Sequence, residues 1–367
     1  MSTDIVIGMH AADLPTPVLV VDAAVLRRNL ADMAAHTTAL GVALRPHWKT
    51  TKSAEVARLQ LAAGAVGHTV ATVAELTALA RDVSPSVFLA YPPVGSFRVA
   101  AVIEASRTAE VIVGADSLDA VRELSDAATA AGIVIPIRLD IDSGLHRTGM
   151  APEAAVAMAR AIATDSGLRL EGVWTHEGHV QAAGADPDER RRRGVRAGET
   201  LVAAAEAIRA DGHEVTTVSV GSTPGVRSAP TVRGVTEARP GTYALGDENQ
   251  VAIGTIAPEQ VALSVHSRVI STQPAEWAII DAGIKAMSSD GTMHGDGRIG
   301  TVVSAGGGVV STGHEEHGFL RGADDPRVGD IVRIRPNHAC GAVNMHRRIV
   351  VVEDDVVTGL WPVLARH

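Results

Sequence analysis

Lys49 lies in LRPHWKTTK, residues 44–52, at the end of an apolar run and inside a basic cluster of Arg45, His47 and Lys52. Neighbouring positive charge and partial burial prepare an amine for Schiff-base formation with a carbonyl compound. The position would also suit a lysine at the mouth of a barrel strand that holds an ion pair. VGSTPG, residues 220–225, is a small-residue turn after a strand-like run. The backbone N–H groups of Gly221 and Ser222, with the hydroxyls of Ser222 and Thr223, can hold a phosphate there, although such turns are also ordinary loops.

In RPNHACGAVNMH, residues 335–346, His338 and Cys340 are two residues apart, so in an extended segment both side chains share a face. Imidazole with thiolate favours Zn²⁺, or alternatively Mn²⁺, and leaves coordination positions for water or substrate oxygens. A cysteine packed beside a surface histidine is the other reading. His314, Glu315 and His317 in TGHEEHG are further polar groups or a solvated turn. In THEGHVQ, residues 175–181, strand alternation puts His176 and Glu177 on opposite faces and His179 with Glu177. One of these residues is expected to act as an acid or base, unless the cluster is only a hydrogen-bonded support.

Such groups need a scaffold that brings distant segments to one rim. From about residue 18 to 245, short β-branched runs alternate with Ala-rich segments of helical period, which argues for parallel βαβ units. About eight such units would close a (β/α)8 barrel, whose chemistry sits at the C-terminal strand ends. Lys49, Asp140 to Arg147, His176 to His179 and Gly221 to Thr223 fall at such ends, with Tyr243 and Asp247 near the last strand. After about residue 250, strand-like runs follow one another without long helices. The expected organisation is therefore an α/β TIM barrel over residues 16–248 and an antiparallel β domain over residues 249–367, joined by residues 1–15 and carrying the metal pair.

Composition agrees with this frame. Phe, Tyr and Trp make up only 2% of the chain, so the core must be aliphatic, as parallel strands under helices require. A net charge of −9 and one basic stretch, Glu189 to Arg196, readable as an exposed helix face, speak against nucleic acid as a partner. No signal-type N-terminus or membrane-length apolar run is seen, so a cytoplasmic location is expected. The single cysteine excludes an intrachain disulfide.

TPVLVVDAAVLRRNL, RPHWKTTK, GSTPGV, TEARPGTYALGD, IIDAGIK, EEHG and RPNHACGAVN, in this order, resemble the D-threonine aldolase and D-serine dehydratase family of fold type III pyridoxal 5′-phosphate (PLP) enzymes. The resemblance spans most of the chain. It implies an alanine-racemase-like barrel with a C-terminal β domain, a homodimer with active sites near the subunit interface, an amino-acid substrate, and a divalent metal beside PLP. Lys49 would carry the cofactor, with His47 of the same segment and Arg147 of HRTG close to it. Gly221, Ser222, Thr223 and Tyr243 match phosphate-binding positions, and His338 and Cys340 match the metal pair. Two departures stand out: Thr51 replaces a histidine common in the family, and Ala182 stands where some aldolases place a catalytic histidine, leaving His179 as the nearest candidate base. The implied activity is a low-specificity D-threonine aldolase, with D-serine dehydratase as the alternative. A metal-independent racemase and a PLP-binding barrel without lyase activity are further options, and the β domain with its H-x-C pair speaks against the latter.

Overall fold

The computed structural model describes residues 4–274, 276–304 and 306–366. It divides into two compact units, Asp32–Lys49 with Ala54–Gly241, and Met1–Ala31 with Thr50–Ser53 and Thr242–His367.

The first unit is built on eight parallel strands among the described residues. Their order is Ala43–Leu44, Glu237–Ala238, Thr217–Val220, Leu168–Trp174, Ile135–Asp140, Glu110–Ala115, Ser86–Leu89 and His68–Val70. A parallel bridge between His47 and Thr69 joins the first strand in this order to the last, so the sheet closes as a TIM-like barrel. Ser86–Leu89 and Ile135–Asp140 are buried along their whole length, as expected for strands covered on both faces.

The helices between strands carry clear start and stop signals. Ser117 accepts the Ala120 N–H before Leu118–Ala131, and Gly132 ends that helix at φ +67°. Asp186 caps Pro187–Ala210, with proline in the first turn. The basic stretch lies in this helix, where Glu189 pairs with Arg192 and Arg193.

The barrel interior is polar as well as aliphatic. Arg138 is 1% exposed, lies over the Phe88 ring at 4.7 Å, and bonds both Glu171 and Glu237. Phe88 meets Trp174 edge to face at 5.3 Å. Gly172 lets neighbouring strands approach closely, since a Cβ there would come within 2.3 Å of the Thr217 carbonyl oxygen.

The second unit contains nine strands among the described residues, mostly antiparallel. Leu263–Ser271, Ala278–Ile280, Gly318–Arg321, Val309–Gly313, Gly300–Val302 and Ile331–Pro336 pair in sequence and return to Leu263–Ser271, forming a closed ring. Here the sequence expectation needs correction. Val18–Asp22, read as the opening barrel strand, pairs antiparallel with Leu263–Ser271 and parallel with Arg348–Glu353. Val18 and Val20 share a buried cluster with Ile5, Leu14, Val350 and Val357, so this face of the run serves the core of the second unit. The unit is therefore mixed at this one pairing. Among the described residues no helix is long and apolar enough to cross a membrane.

Candidate active site and metal pair

The chain leaves Ala43–Leu44 in the barrel unit, makes the His47–Thr69 bridge and turns as a 3-10 helix over Trp48–Thr50, whose last residue, Thr50, belongs to the second unit. Fully buried Trp48 anchors this turn and leaves Lys49 half-buried. Burial, followed by the charges of Lys49, Arg239, His176 and Arg147, holds His47 well below the usual histidine range. His176 is pushed down to about 3 by burial and Lys49, against the opposing pull of the Gly221 carbonyl. Its Nδ1 lies 2.5 Å from that carbonyl oxygen and must donate, so the neutral ring keeps Nε2 as an acceptor. Gly178 permits the ring's position, since a Cβ there would sit 2.9 Å from Nε2. Lys49, His47, Arg147 and His176 are thus brought into one electrostatic neighbourhood.

Arg239 belongs with them and was missed in the sequence. It is buried, donates from Nε to Ser219 Oγ at 2.7 Å and from Nη2 to the Thr175 carbonyl, and lies over the Trp174 ring at 4.9 Å. Burial lowers it to about 10 despite Glu237 and Glu177. An arginine straight after the short strand Glu237–Ala238 was the available signal. The cluster of cationic groups around a half-buried lysine, with the buried Nδ1 of His47 lacking a hydrogen-bond partner, suits an anionic carbonyl cofactor such as PLP.

The small-residue turn behaves differently from expectation. The Gly221 N–H and the Ser222 hydroxyl, read as phosphate donors, instead bond the two oxygens of buried Glu177 at 2.8 and 2.9 Å. Ser222 Oγ also accepts the Gly225 N–H at 3.0 Å. A carboxylate supplied by the barrel's own chain satisfies these donors locally. Thr223 is buried in the same turn.

His179 has its own set of neighbours. It lies beside Gly144, and its imidazole is lowered by burial and Arg193 against Asp142. Tyr243, buried in the turn Thr242–Ala244, belongs to the second unit.

His338 and Cys340 are also in the second unit. His338 Nδ1 lies 3.2 Å from Asp247 Oδ2, and Thr50 Oγ1 lies 3.2 Å from Cys340 Sγ. Burial opposes charge on His338, but its hydrogen bonds to Asp247 and Cys340 raise it to about 11. Metal binding would displace that proton. A histidine whose Nδ1 is held by a carboxylate, next to a thiol, is a donor set that fits a Zn²⁺-like ion. Among the described residues no three His, Cys, Asp or Glu side chains converge as a fuller ligand set. His314 packs edge to face on Phe319 at 5.2 Å, in the turn that also holds Glu315 and His317.

Comparison with known proteins identifies the family. Residues 21–249 match the alanine racemase N-terminal domain family, and residues 262–352 match a putative serine dehydratase domain. The chain is 37% identical over 348 residues to a D-threo-3-hydroxyaspartate dehydratase of Delftia sp. (strain HT23), covering 89% of this chain and 91% of that protein. It is 30% identical over 368 residues to a D-threonine aldolase of Arthrobacter sp, covering 98% and 94%. Its structure matches a D-threonine aldolase from Filomicrobium marinum with a TM-score of 0.92 and 29% identity, over 99% and 98% of the two chains. It also matches a metal-free cysteine-to-alanine mutant of D-threo-3-hydroxyaspartate dehydratase with a TM-score of 0.90 and 32% identity, over 97% and 99%. A histidine-to-alanine mutant of the enzyme of that name, changed two positions earlier, is a further match. The chain belongs to the alanine racemase-like, fold type III PLP enzymes of the D-threonine aldolase and D-serine dehydratase family, and is a lyase.

Proposed function

We propose that the chain is a PLP- and divalent-metal-dependent lyase that eliminates the 3-hydroxyl of a D-3-hydroxy-α-amino acid, with a 2-oxo acid and ammonia as the final products. The observation that carries this reading is the His338–Cys340 pair with its Asp247 and Thr50 partners. When bound, PLP supplies an electron sink for bonds broken at Cα, and a divalent ion supplies Lewis-acid assistance to the departing hydroxyl. Lys49 would hold the cofactor and, once freed, take the Cα proton. His176, neutral and fixed by the Gly221 carbonyl, offers Nε2 as an acceptor in the Lys49 neighbourhood. Arg147 and Arg239 add positive charge that favours an anionic cofactor and a substrate carboxylate. His338 and Cys340 would hold the metal ion.

The elimination reading is supported over retro-aldol cleavage by the Delftia relative at 37% identity, which is a dehydratase. Retro-aldol cleavage of D-threonine remains the second reading, favoured by the whole-chain match to the Filomicrobium aldolase. The same reading includes a homodimer acting in the cytoplasm.

The test is incubation of purified protein with PLP, Zn²⁺ or Mn²⁺, and D-serine, D-threonine or D-threo-3-hydroxyaspartate. A 2-oxo acid with ammonia supports elimination, and glycine with an aldehyde supports cleavage. Neither product with any pairing would sink both readings. Lys49→Ala is expected to lose the visible absorbance of lysine-bound PLP, and a band that persists and can be reduced by borohydride would assign the cofactor to another lysine.

A further inference from the structure

Two protein ligands bind a metal only as well as their own supports hold them. We infer that Asp247 and Thr50 are positioning residues that set the affinity of the His338–Cys340 pair for a divalent ion such as Zn²⁺. The inference rests on the metal-dependent reading above.

Asp247 is 0% exposed and caps the helix Glu248–Ala252, its Oδ1 accepting the Gln250 N–H at 2.9 Å. Its Oδ2 accepts from both His338 Nδ1 at 3.2 Å and the Ala339 N–H at 3.0 Å. One oxygen therefore fixes the imidazole tautomer and the backbone between the two ligands. With the proton on Nδ1, the lone pair on Nε2 is the one available to a metal. His338 is the N-cap of the helix Ala339–Met345 and Cys340 lies in its first turn, so both ligands come from one helix start rather than from an extended segment.

Thr50 does for sulfur what Asp247 does for the imidazole. It is fully buried, and its Oγ1 lies 3.2 Å from Cys340 Sγ, so its hydroxyl can donate to a thiolate. The two supports come from segments 91 and 290 residues away from the ligands they hold.

The variant Asp247→Asn separates this role from simple helix capping. Asparagine is a good cap, and with its carbonyl on the Gln250 N–H its amide NH₂ would face His338. The imidazole would then have to accept at Nδ1 and carry its proton on Nε2, which blocks the metal lone pair.

The experiment measures the Zn²⁺ dissociation constant of the PLP-loaded enzyme by competition with a chromophoric chelator, with the PLP absorbance as a check on folding. Asp247→Asn is expected to weaken Zn²⁺ binding about 10–100-fold with the absorbance intact. Thr50→Val is expected to weaken it in the same direction, and Thr50→Ser to restore it. Zn²⁺ affinity within about twofold of wild type in Asp247→Asn overturns the role of Asp247. If that variant does not fold, the threonine pair decides, and equal affinities for Thr50→Val and wild type overturn the inference. A wild-type enzyme that binds neither Zn²⁺ nor Mn²⁺ overturns the metal-dependent reading itself, and the inference with it.

Discussion

Glu237→Gln removes one charge from the barrel interior while keeping the side chain's shape. Glu237 is 3% exposed and accepts from Arg45 Nε at 2.7 Å, Arg138 Nη1 at 2.5 Å and Ser219 Oγ at 2.7 Å. Burial works against its ionisation, but Arg138 and Arg45 overcome it and hold the carboxyl at about 2, against an ordinary 4.5. That depression is worth about 3 kcal/mol to the ionised folded form. A neutral glutamine would remove the carboxylate that buried Arg45 donates to and leave Arg138 with Glu171, and breaking a buried pair in this way costs about 3–5 kcal/mol. The loss is a large part of a typical stability of about 5–15 kcal/mol. Because the folded value is depressed, the stabilisation is present above about pH 4.5 and is lost as pH falls towards about 2. Urea titrations followed by circular dichroism should therefore show a gap between wild type and variant at neutral pH that narrows in acid. A loss below about 1 kcal/mol at neutral pH, or a gap that stays constant down to about pH 3, would refute an ionised Glu237 held by two arginines. The consequence reaches the site, because Ser219 donates to Glu237 and accepts from Arg239.

Asp140, at the end of Ile135–Asp140, is pushed up to about 6 by burial, only partly offset by the Thr148 hydroxyl and Arg239. Its contribution to stability is present below about pH 3.8 and is lost as pH rises through about 6, a change of about 3 kcal/mol. Asp140→Asn should flatten that part of the stability profile in urea titrations across the range, and an unchanged slope would place the effect elsewhere. For catalysis, His176→Ala should lower kcat/KM by more than about 100-fold and His179→Ala by less than about tenfold. The reverse order would return His179 to the role of base and favour retro-aldol cleavage.

The barrel was legible because its strands and helices alternate with period and punctuation, as at Ser117 and Gly132 around Leu118–Ala131. Val18–Asp22 was misplaced because an apolar run of this length satisfies either core equally, and only long-range pairing decides. Lys49 and His176 stood out by residue type at strand ends. Arg239 did not, because its importance comes from burial between Trp174, Ser219 and the Thr175 carbonyl, which sequence spacing does not report. The Gly221–Ser222 turn looked like a phosphate cradle for a sound reason, donors in a tight turn, yet Glu177 takes two of those donors. Asp247 and Thr50 were hidden for a related reason. Each acts on a residue far along the chain, and neither has a motif of its own.

The placement of Val18–Asp22 also bears on how the chain is made. Val18 pairs with His266 and Val20 with Val350, so this strand is synthesised 248 and 330 residues before its partners. During translation the whole barrel emerges while an early apolar strand has both edges unpaired. Such an edge is prone to pair with another chain, and contacts this distant form slowly. Slowed elongation or chaperone capture between the barrel and the last strands should therefore govern the yield of soluble protein more than any feature of the finished fold.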